Sequence, residues 1–374
     1  MQRQKESSVK IHRLLAVALT GALAVGATAC GSSSKSSSSG GKSGGTISGA
    51  GATFPQPVYE EWASRFKTSD GVTVNYNPIG SGGGIAQFTA GTVDFGATDS
   101  AMKDDEVAAA KKKGDPVHVP TVFGAITVSY NLPGVAKGIK LDGKTLADIF
   151  LGKIKKWNDP AIAALNAGGS IKLPSTAITV VHRSDASGTT KLFTQFLKES
   201  SPEWAKTVGS DKSVKWPTGT GAAKNAGVAG GVKQTEGAVG YVEEAYALQN
   251  NFTTASIKNK AGQFVEPTLA STTAAGDGLT VPADLRFSAI NASTNPAAYP
   301  IASGTFLLVY QDMCKAGLSK SKAQDVVKWL NYATGPGQAI APQLQYAPLP
   351  AAILAKAKAK VAGLQCAGAP LKGA

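Results

Sequence analysis

A chain of 374 residues, 43% of them hydrophobic, is long enough for two or three domain-sized units with sizeable cores. Its formal net charge of +13 suits nucleic acid, a membrane surface or an anionic ligand, but the lysines are scattered in ones and twos with no interleaved aromatics, so no nucleic-acid face is expected. Three cysteines and three histidines, without CxxC, HxxxH or HExxH spacing, argue against a metal cluster, and neither metal nor cofactor is expected.

Residues 1–13 carry Arg3, Lys5, Lys10 and Arg13 against Glu6 alone, and an apolar run follows from Leu14 to about Val25. That run is short for a membrane span. With ATAC ending at Cys30 it reads as an export signal over 1–29, and its end resembles a bacterial lipobox, which makes Cys30 a candidate lipidation site. The position three before the cysteine, usually Leu, is Ala27. A plain secretory signal cleaved nearby is the alternative. The Gly/Ser-rich stretch over 30–45 cannot bury apolar surface and reads as a flexible tether spanning on the order of 20 Å.

Beyond the tether the chain alternates strands and helices. Thr46 to Ser48 suggest a short strand, and Val58, Tyr59, Trp62 and Phe66 lie on one helical face. Pro55 and Pro57 are tolerated only in a first helical turn, which places the helix start at about residue 54 or 55, with Thr53 and Phe54 at its mouth. VTVNYN (72–77) alternates as a strand and leads through a Gly-rich turn into a helix with Ser81 at its mouth. TVDFGATD (92–99) is another strand, ending in Asp99. The run Lys111 to Lys113 follows an Ala-rich helical stretch and reads as a solvated helix end.

AITVV (177–181) predicts a buried strand, HRSDASGTT (182–190) a polar turn, and Leu192, Phe193, Phe196 and Leu197 a helix. Ser187, Gly188 and Thr189 then stand where a helix begins, where unpaired N–H groups attract anions, and Arg183 at the strand end offers a five-donor fork. Such a turn is also what an ordinary helix cap produces, with Asp185 or Ser187 as the cap and Arg183 as a surface charge. Three strand-turn-helix mouths, each carrying Ser or Thr, are harder to explain that way, because such mouths converge at the carboxyl edge of a parallel sheet. None has P-loop or GxGxxG spacing. Later in the chain, Val326, Val327 and Leu330 mark one helix, PAAILAKAKAKVAGL a final amphipathic one, and residues 251–299 carry no readable period.

Taken together, GAGATFPQPVYEEW, the stretch from NYNPIGSGGGIAQF to VDFGATDS, IFLGKIKKWNDPAI, HRSDASGTT, EGAVGYVEEAYA, SGTFLLVYQD and QLQYAPLP resemble the phosphate-binding protein of the bacterial phosphate ABC importer, the PstS family of periplasmic binding proteins. The resemblance covers residues from about 46 to about 355. It implies an α/β, two-lobed, type II-like binding protein, each lobe a sheet flanked by helices, with two hinge crossings. The implied lobes are 46–126 plus 303–374, and 127–302. Its ligand contacts, carried over by position, fall on Thr53, Phe54, Ser81 and Asp99 from one lobe and Arg183, Ser187, Gly188 and Thr189 from the other, with Asp185 supporting Arg183. The implied function is capture of inorganic phosphate and delivery to ABC permease subunits by an exported monomer, lipid-anchored on the outer face of the cytoplasmic membrane.

An ionised Asp99 can only accept a hydrogen bond, so it favours a ligand that still carries a proton, as phosphate does, over sulfate, which carries none. Other tetrahedral oxyanions remain the alternative ligands. A secreted phosphoesterase is the alternative of another class, and a surface adhesion or wall-binding protein a third. No enzyme is expected: His182, Asp185 and Ser187 crowd into six residues, whereas a catalytic triad assembles from separate elements, and no GxSxG elbow is present. Cys314 and Cys366 are candidates for a single disulfide, the alternative being two unpaired buried thiols.

Overall fold

Apolar strands alternating with amphipathic helices build an α/β chain, described in a computed structural model over residues 44–135 and 137–371. The expected signal peptide, Cys30 and nearly all of the tether lie outside the described residues. The first half holds β1 (Thr46–Gly51), α1 (Gln56–Asp70), β2 (Thr73–Pro78), α2 (Ser81–Ala90), β3 (Phe95–Thr98) and α3 (Asp104–Ala110). Helix α1 starts where its prolines require, with Pro55 as the N-cap, and stops at Gly71, whose φ of 75° is the left-handed C-cap conformation. Its expected face of Val58, Tyr59, Trp62 and Phe66 is buried. Trp62 stacks on Tyr59 at 5.6 Å, meets Trp329 edge-on at 6.2 Å and donates its ring N–H to Gly337 O at 3.0 Å.

The 15-residue strand β4 (Pro116–Tyr130) leads out of this half and is buried along almost its whole length, so both its faces are covered. The second half follows with β5 (Lys140–Leu141), α4 (Gly143–Phe150), α5 (Pro160–Leu165), β6 (Thr179–Arg183), α6 (Gly188–Ser200), α7 (Pro202–Thr207), β7 (Thr220–Ala222), α8 (Lys224–Gln234), β8 (Ala238–Glu243) and α9 (Glu244–Gln249). Side-chain oxygens of Asp142, Asp159, Ser187 and Ser201 cap α4 to α7 in turn, each worth about 1 kcal/mol.

The stretch with no readable period contains only short pieces: β9 (Thr253–Thr254), β10 (Ser256–Lys258), β11 (Phe264–Val265) and α10 (Leu269–Ala274). It is nonetheless ordered by burial, with Leu285 and Tyr299 fully enclosed and the Tyr299 hydroxyl donating to Ile126 O at 3.0 Å. The chain returns through β12 (Ala302–Tyr310), whose nine residues are all buried, and ends in α11 (Lys320–Ala333), α12 (Pro336–Ile340), α13 (Ala351–Ala362) and the hairpin β13 (Gln365–Cys366) and β14 (Ala369–Pro370). Val326, Val327 and Leu330 are buried on α11 as their spacing requires.

The main sheet has the order β2-β1-β3-β12-β4-β8-β6-β7, with β9 also beside β4. Strands β1, β2 and β3 are mutually parallel, as are β6, β7 and β8. Strand β12 is antiparallel to both β3 and β4, so β4 runs with the first trio; β8 is antiparallel to β4, so the second trio runs against it. The carboxyl ends of the two trios therefore point at each other along β4. Its partner changes from β12 to β8 between Ala125 and Ile126, and Ile126 pairs with Glu243, the last residue of β8.

A disulfide joins Cys314 to Cys366 across a sequence separation of 52 and ties the C-terminal hairpin to the segment after β12. Closing a loop of that length restricts the unfolded chain by up to about 4 kcal/mol. Replacing both cysteines by serine is expected to lower the urea-unfolding free energy by about 2–4 kcal/mol, with a smaller midpoint and a steeper slope as the unfolded chain expands.

Candidate functional site

Every predicted ligand-binding residue lies at a carboxyl end of one of the opposed strand trios. Thr53 and Phe54 follow β1, Ser81 follows β2, Asp99 follows β3, Arg183 ends β6, and Ser187, Gly188 and Thr189 come after it. All eight predicted contacts are buried, Arg183 and Asp99 with only 3% and 1% exposure. The structure thus brings the two predicted sets together across one interface.

Arg183 is held by a fixed set of partners. Its Nε and Nη2 donate to the two oxygens of Asp185 at 2.8 and 2.5 Å, and its Nη1 donates to Asn225 Oδ1 at 3.0 Å. Of the five guanidinium N–H bonds, two remain for a ligand. Burial alone would depress the Arg183 pKa and raise that of Asp185; their paired hydrogen bonds outweigh it, so Arg183 is shifted up and Asp185 down, and both stay charged. The supporting role expected of Asp185 matches this geometry. Tyr241 anchors the strand end by accepting the Arg183 N–H at 3.0 Å, its hydroxyl 2.7 Å from Thr190 Oγ1.

Ser187 caps α6, its Oγ accepting from Thr190 N at 3.2 Å, so its hydroxyl proton stays available. Gly188 and Thr189 open the helix, where N–H groups have no carbonyl one turn back. The hydroxyl of Thr189 is buried with no protein partner. Gly188 allows a close approach that no other residue permits: an added Cβ would stand 2.4 Å from Ser81 Oγ and 2.7 Å from Asp99 Oδ2. Gly80 does the same on the opposite side, with a φ of 91° and an added Cβ 2.7 Å from Asp185 Oδ2.

Asp99 faces this helix mouth. Thr305 Oγ1 donates to its Oδ1 at 2.9 Å, and Ser81 Oγ donates to its Oδ2 at 3.2 Å while accepting the Asp99 N–H at 3.2 Å. Burial pushes the Asp99 carboxyl up to about 7, with the Thr305 bond, the Arg183 charge and the Ser81 bond opposing. Two details differ from the sequence reading. The Ser81 hydroxyl is spent on Asp99 rather than standing free, and Asp99 is not simply ionised at neutral pH, because burial outweighs the opposing Thr305, Arg183 and Ser81 interactions.

Sequence reasoning missed Asn225, Tyr241, Glu243, Tyr246 and Thr305. Asn225 Nδ2 donates to Thr53 Oγ1 at 2.9 Å and Glu243 Oε1 at 3.2 Å, and the Tyr246 hydroxyl donates to Thr53 O at 3.1 Å. Burial drives the Glu243 pKa well up, with repulsion from Asp99 adding to it, which favours the neutral form. The available signal was the apolar strand AVGYVEE, which ends in carboxylates as VDFGATD does. Asn225, in KNAG, has no such signature.

Further contacts clasp the halves together. Gly82 N–H donates to Ala186 O at 2.9 Å, the buried Lys212 meets both Glu106 oxygens at 2.8 Å, and Lys103 pairs with Asp211. His182 stacks on Trp216 with ring centroids 4.6 Å apart and turns Nδ1 to Arg183 O at 3.1 Å, so it pairs with neither Ser187 nor Asp185.

The folded-state pKa of Asp99 exceeds its unfolded value, so its favourable contribution is full below about pH 4 and is lost as pH rises through about 7. The ligand-free Asp99→Asn protein lacks that loss. Its stability relative to wild type is expected to improve between pH 4 and pH 8, as read from chemical denaturation at both pH values; a pH-independent difference would contradict the buried, cation-free carboxyl.

A family model described as a PBP superfamily domain matches residues 36–334. The phosphate-binding protein PstS of Pasteurella multocida is 44% identical over 317 residues, spanning 84% of this chain and 89% of its own. PstS of Haemophilus influenzae is 42% identical over 319 residues, spanning 84% and 92%. Among solved structures, a phosphate-binding protein from Stenotrophomonas maltophilia aligns with a TM-score of 0.64 at 21% identity, covering 84% of this chain and 93% of its own. A putative phosphate ABC transporter substrate-binding protein from Clostridium perfringens, solved with bound phosphate, aligns with a TM-score of 0.59 at 18% identity, covering 82% and 100%. The fold is accordingly the two-lobed α/β architecture of periplasmic binding proteins, and the chain belongs to the PstS family of phosphate-binding proteins.

Proposed function

We propose that this protein captures inorganic phosphate between its lobes and delivers it to the permease subunits of an ABC importer. As a member of a binding-protein family it acts by binding and not by catalysis. The observation that carries the reading is the opposition of Arg183, with two unspent N–H bonds, to Asp99, a buried carboxyl with no cation of its own. The first supplies a fork for an oxyanion and the second an acceptor for the proton that phosphate retains. Around them, Phe54, Gly188 and Thr189 would contribute backbone N–H groups, and Thr53, Ser187 and Thr189 hydroxyls, while Ser81 holds the Asp99 carboxyl in place.

The lobes are assigned to 46–126 plus 303–374, and 127–302. The change of partner along β4 at Ala125 and Ile126 and the start of β12 at Ala302 support hinges at those points. Closure is a hinge motion of the kind found in periplasmic binding proteins. Export, lipidation at Cys30 and tethering to the outer face of the cytoplasmic membrane rest on the sequence of residues 1–45, and a monomer suffices because one chain completes the site. No helix among the described residues is long and apolar enough to cross a membrane.

Titration calorimetry with phosphate and sulfate tests the ligand. At pH 8, phosphate is expected to bind and sulfate to be rejected by at least about tenfold to a hundredfold, the cost of a charged acceptor left unpaired. Because Asp99 takes up a proton near pH 7, it becomes a donor at pH 5.5 and the rejection of sulfate is expected to weaken there. Asp99→Asn should show the weakened rejection at both pH values. Equal binding of the two anions by the wild-type protein at pH 8 would remove phosphate as the assigned ligand.

A further inference from the structure

Asn225 touches three groups, and the three leave it one orientation. Its Oδ1 accepts from Arg183 Nη1 at 3.0 Å, and its two Nδ2 protons go to Thr53 Oγ1 at 2.9 Å and Glu243 Oε1 at 3.2 Å. Reversing the amide would set Nδ2 against a guanidinium and Oδ1 against two oxygens. The amide is fully buried, with both Nδ2 protons and its Oδ1 engaged.

The consequence falls on Thr53. A hydroxyl that accepts one hydrogen bond keeps a single proton to donate, and accepting from Asn225 directs that proton away from the amide. Without Asn225 the hydroxyl is free to rotate, and its proton has other acceptors to choose from. Asn225 stands at the start of α8 in the second half, whereas Thr53 follows β1 in the first, a sequence separation of 172. The bond therefore exists only when the halves are together.

We propose that Asn225 is a positioning residue for anion binding, which on closure of the lobes fixes the Thr53 hydroxyl as a donor to the ligand. This rests on the reading of the cleft as a phosphate site. Asn225 does not touch the anion in this scheme; it acts through Thr53, and Glu243 holds the amide in register. Since the contact forms after capture, its loss shortens the bound lifetime without slowing encounter.

The test is a double-mutant cycle on the full-length protein with inorganic phosphate as the probe, combining Asn225→Ala with Thr53→Val and with Thr53→Ser. Asn225→Ala is expected to weaken binding by about 10- to 100-fold, with the change in the dissociation rate and the association rate held. In the Thr53→Val background the same substitution should cost about threefold or less, because the hydroxyl it orients is gone. In the Thr53→Ser background the full factor should return. If Asn225→Ala melts before it can be titrated, Asn225→Asp carries the same comparison, since its acceptor would draw the Thr53 proton away from the anion. An equal factor in the Val and wild-type backgrounds, or a loss confined to the association rate, overturns the proposal while leaving the phosphate reading standing. A wild-type protein that binds no phosphate overturns both.

Discussion

Strand β4 imposes the constraint on which the site depends. It runs through both halves of the molecule without a break, in the direction of the first parallel trio and against the second. Ligands of open α/β sheets gather at the carboxyl ends of parallel strands. Two such edges aimed at each other along one strand make a cleft with donors on both walls. The glycines at the helix mouths follow from the same geometry, since Gly188 lies against Ser81 and Asp99, and Gly80 against Asp185, at distances that leave no room for a Cβ.

The electrostatics of the cleft are close to balanced before any ligand enters. The Arg183 charge is answered by Asp185, burial favours the neutral form of Glu243, and burial pushes the Asp99 carboxyl up to about 7. An anion is then met by oriented N–H and O–H groups and helix termini rather than by surplus positive charge. The net charge of +13 resides in scattered lysines and acts at longer range, in solubility and encounter. On the proposed reading, discrimination lies with Asp99, where the unequal demands of a protonated and an unprotonated oxyanion are felt most.

Local features of the fold were legible to a useful depth. The first helix of the body has its start set by Pro55 and Pro57, its end by Gly71, and its buried face by the spacing from Val58 to Phe66; each is a short-range effect of backbone geometry or helical period. The stretch over 251–299 was opaque for the opposite reason. Its strands are two or three residues long, too short for a period to show, and β10 finds its parallel partner in β5, more than a hundred residues earlier. The site divides in the same way. Thr53, Ser81, Asp99 and the run from Arg183 to Thr189 stand in strand-turn-helix motifs, and their reading as ligand contacts comes from the resemblance of those motifs to the PstS family. Thr305, in the middle of a buried strand, and Asn225, in a helix start with no glycine-rich mouth of its own, carry no local mark of their roles.

Outside residues 251–299, the sequence by itself determined the approximate place of several strands and helices, the faces they bury, and which polar residues stand at helix mouths, because periodicity, proline, glycine and capping act within a few residues. Only the tertiary structure decided that Asn225 joins Arg183 to Thr53, that Ser81 is committed to Asp99, and that Thr305 donates to the same carboxyl. These contacts span sequence separations of 42, 172, 18 and 206 residues. They depend on the order and direction of strands in the sheet, which hydrogen bonding between distant segments sets and no local pattern encodes.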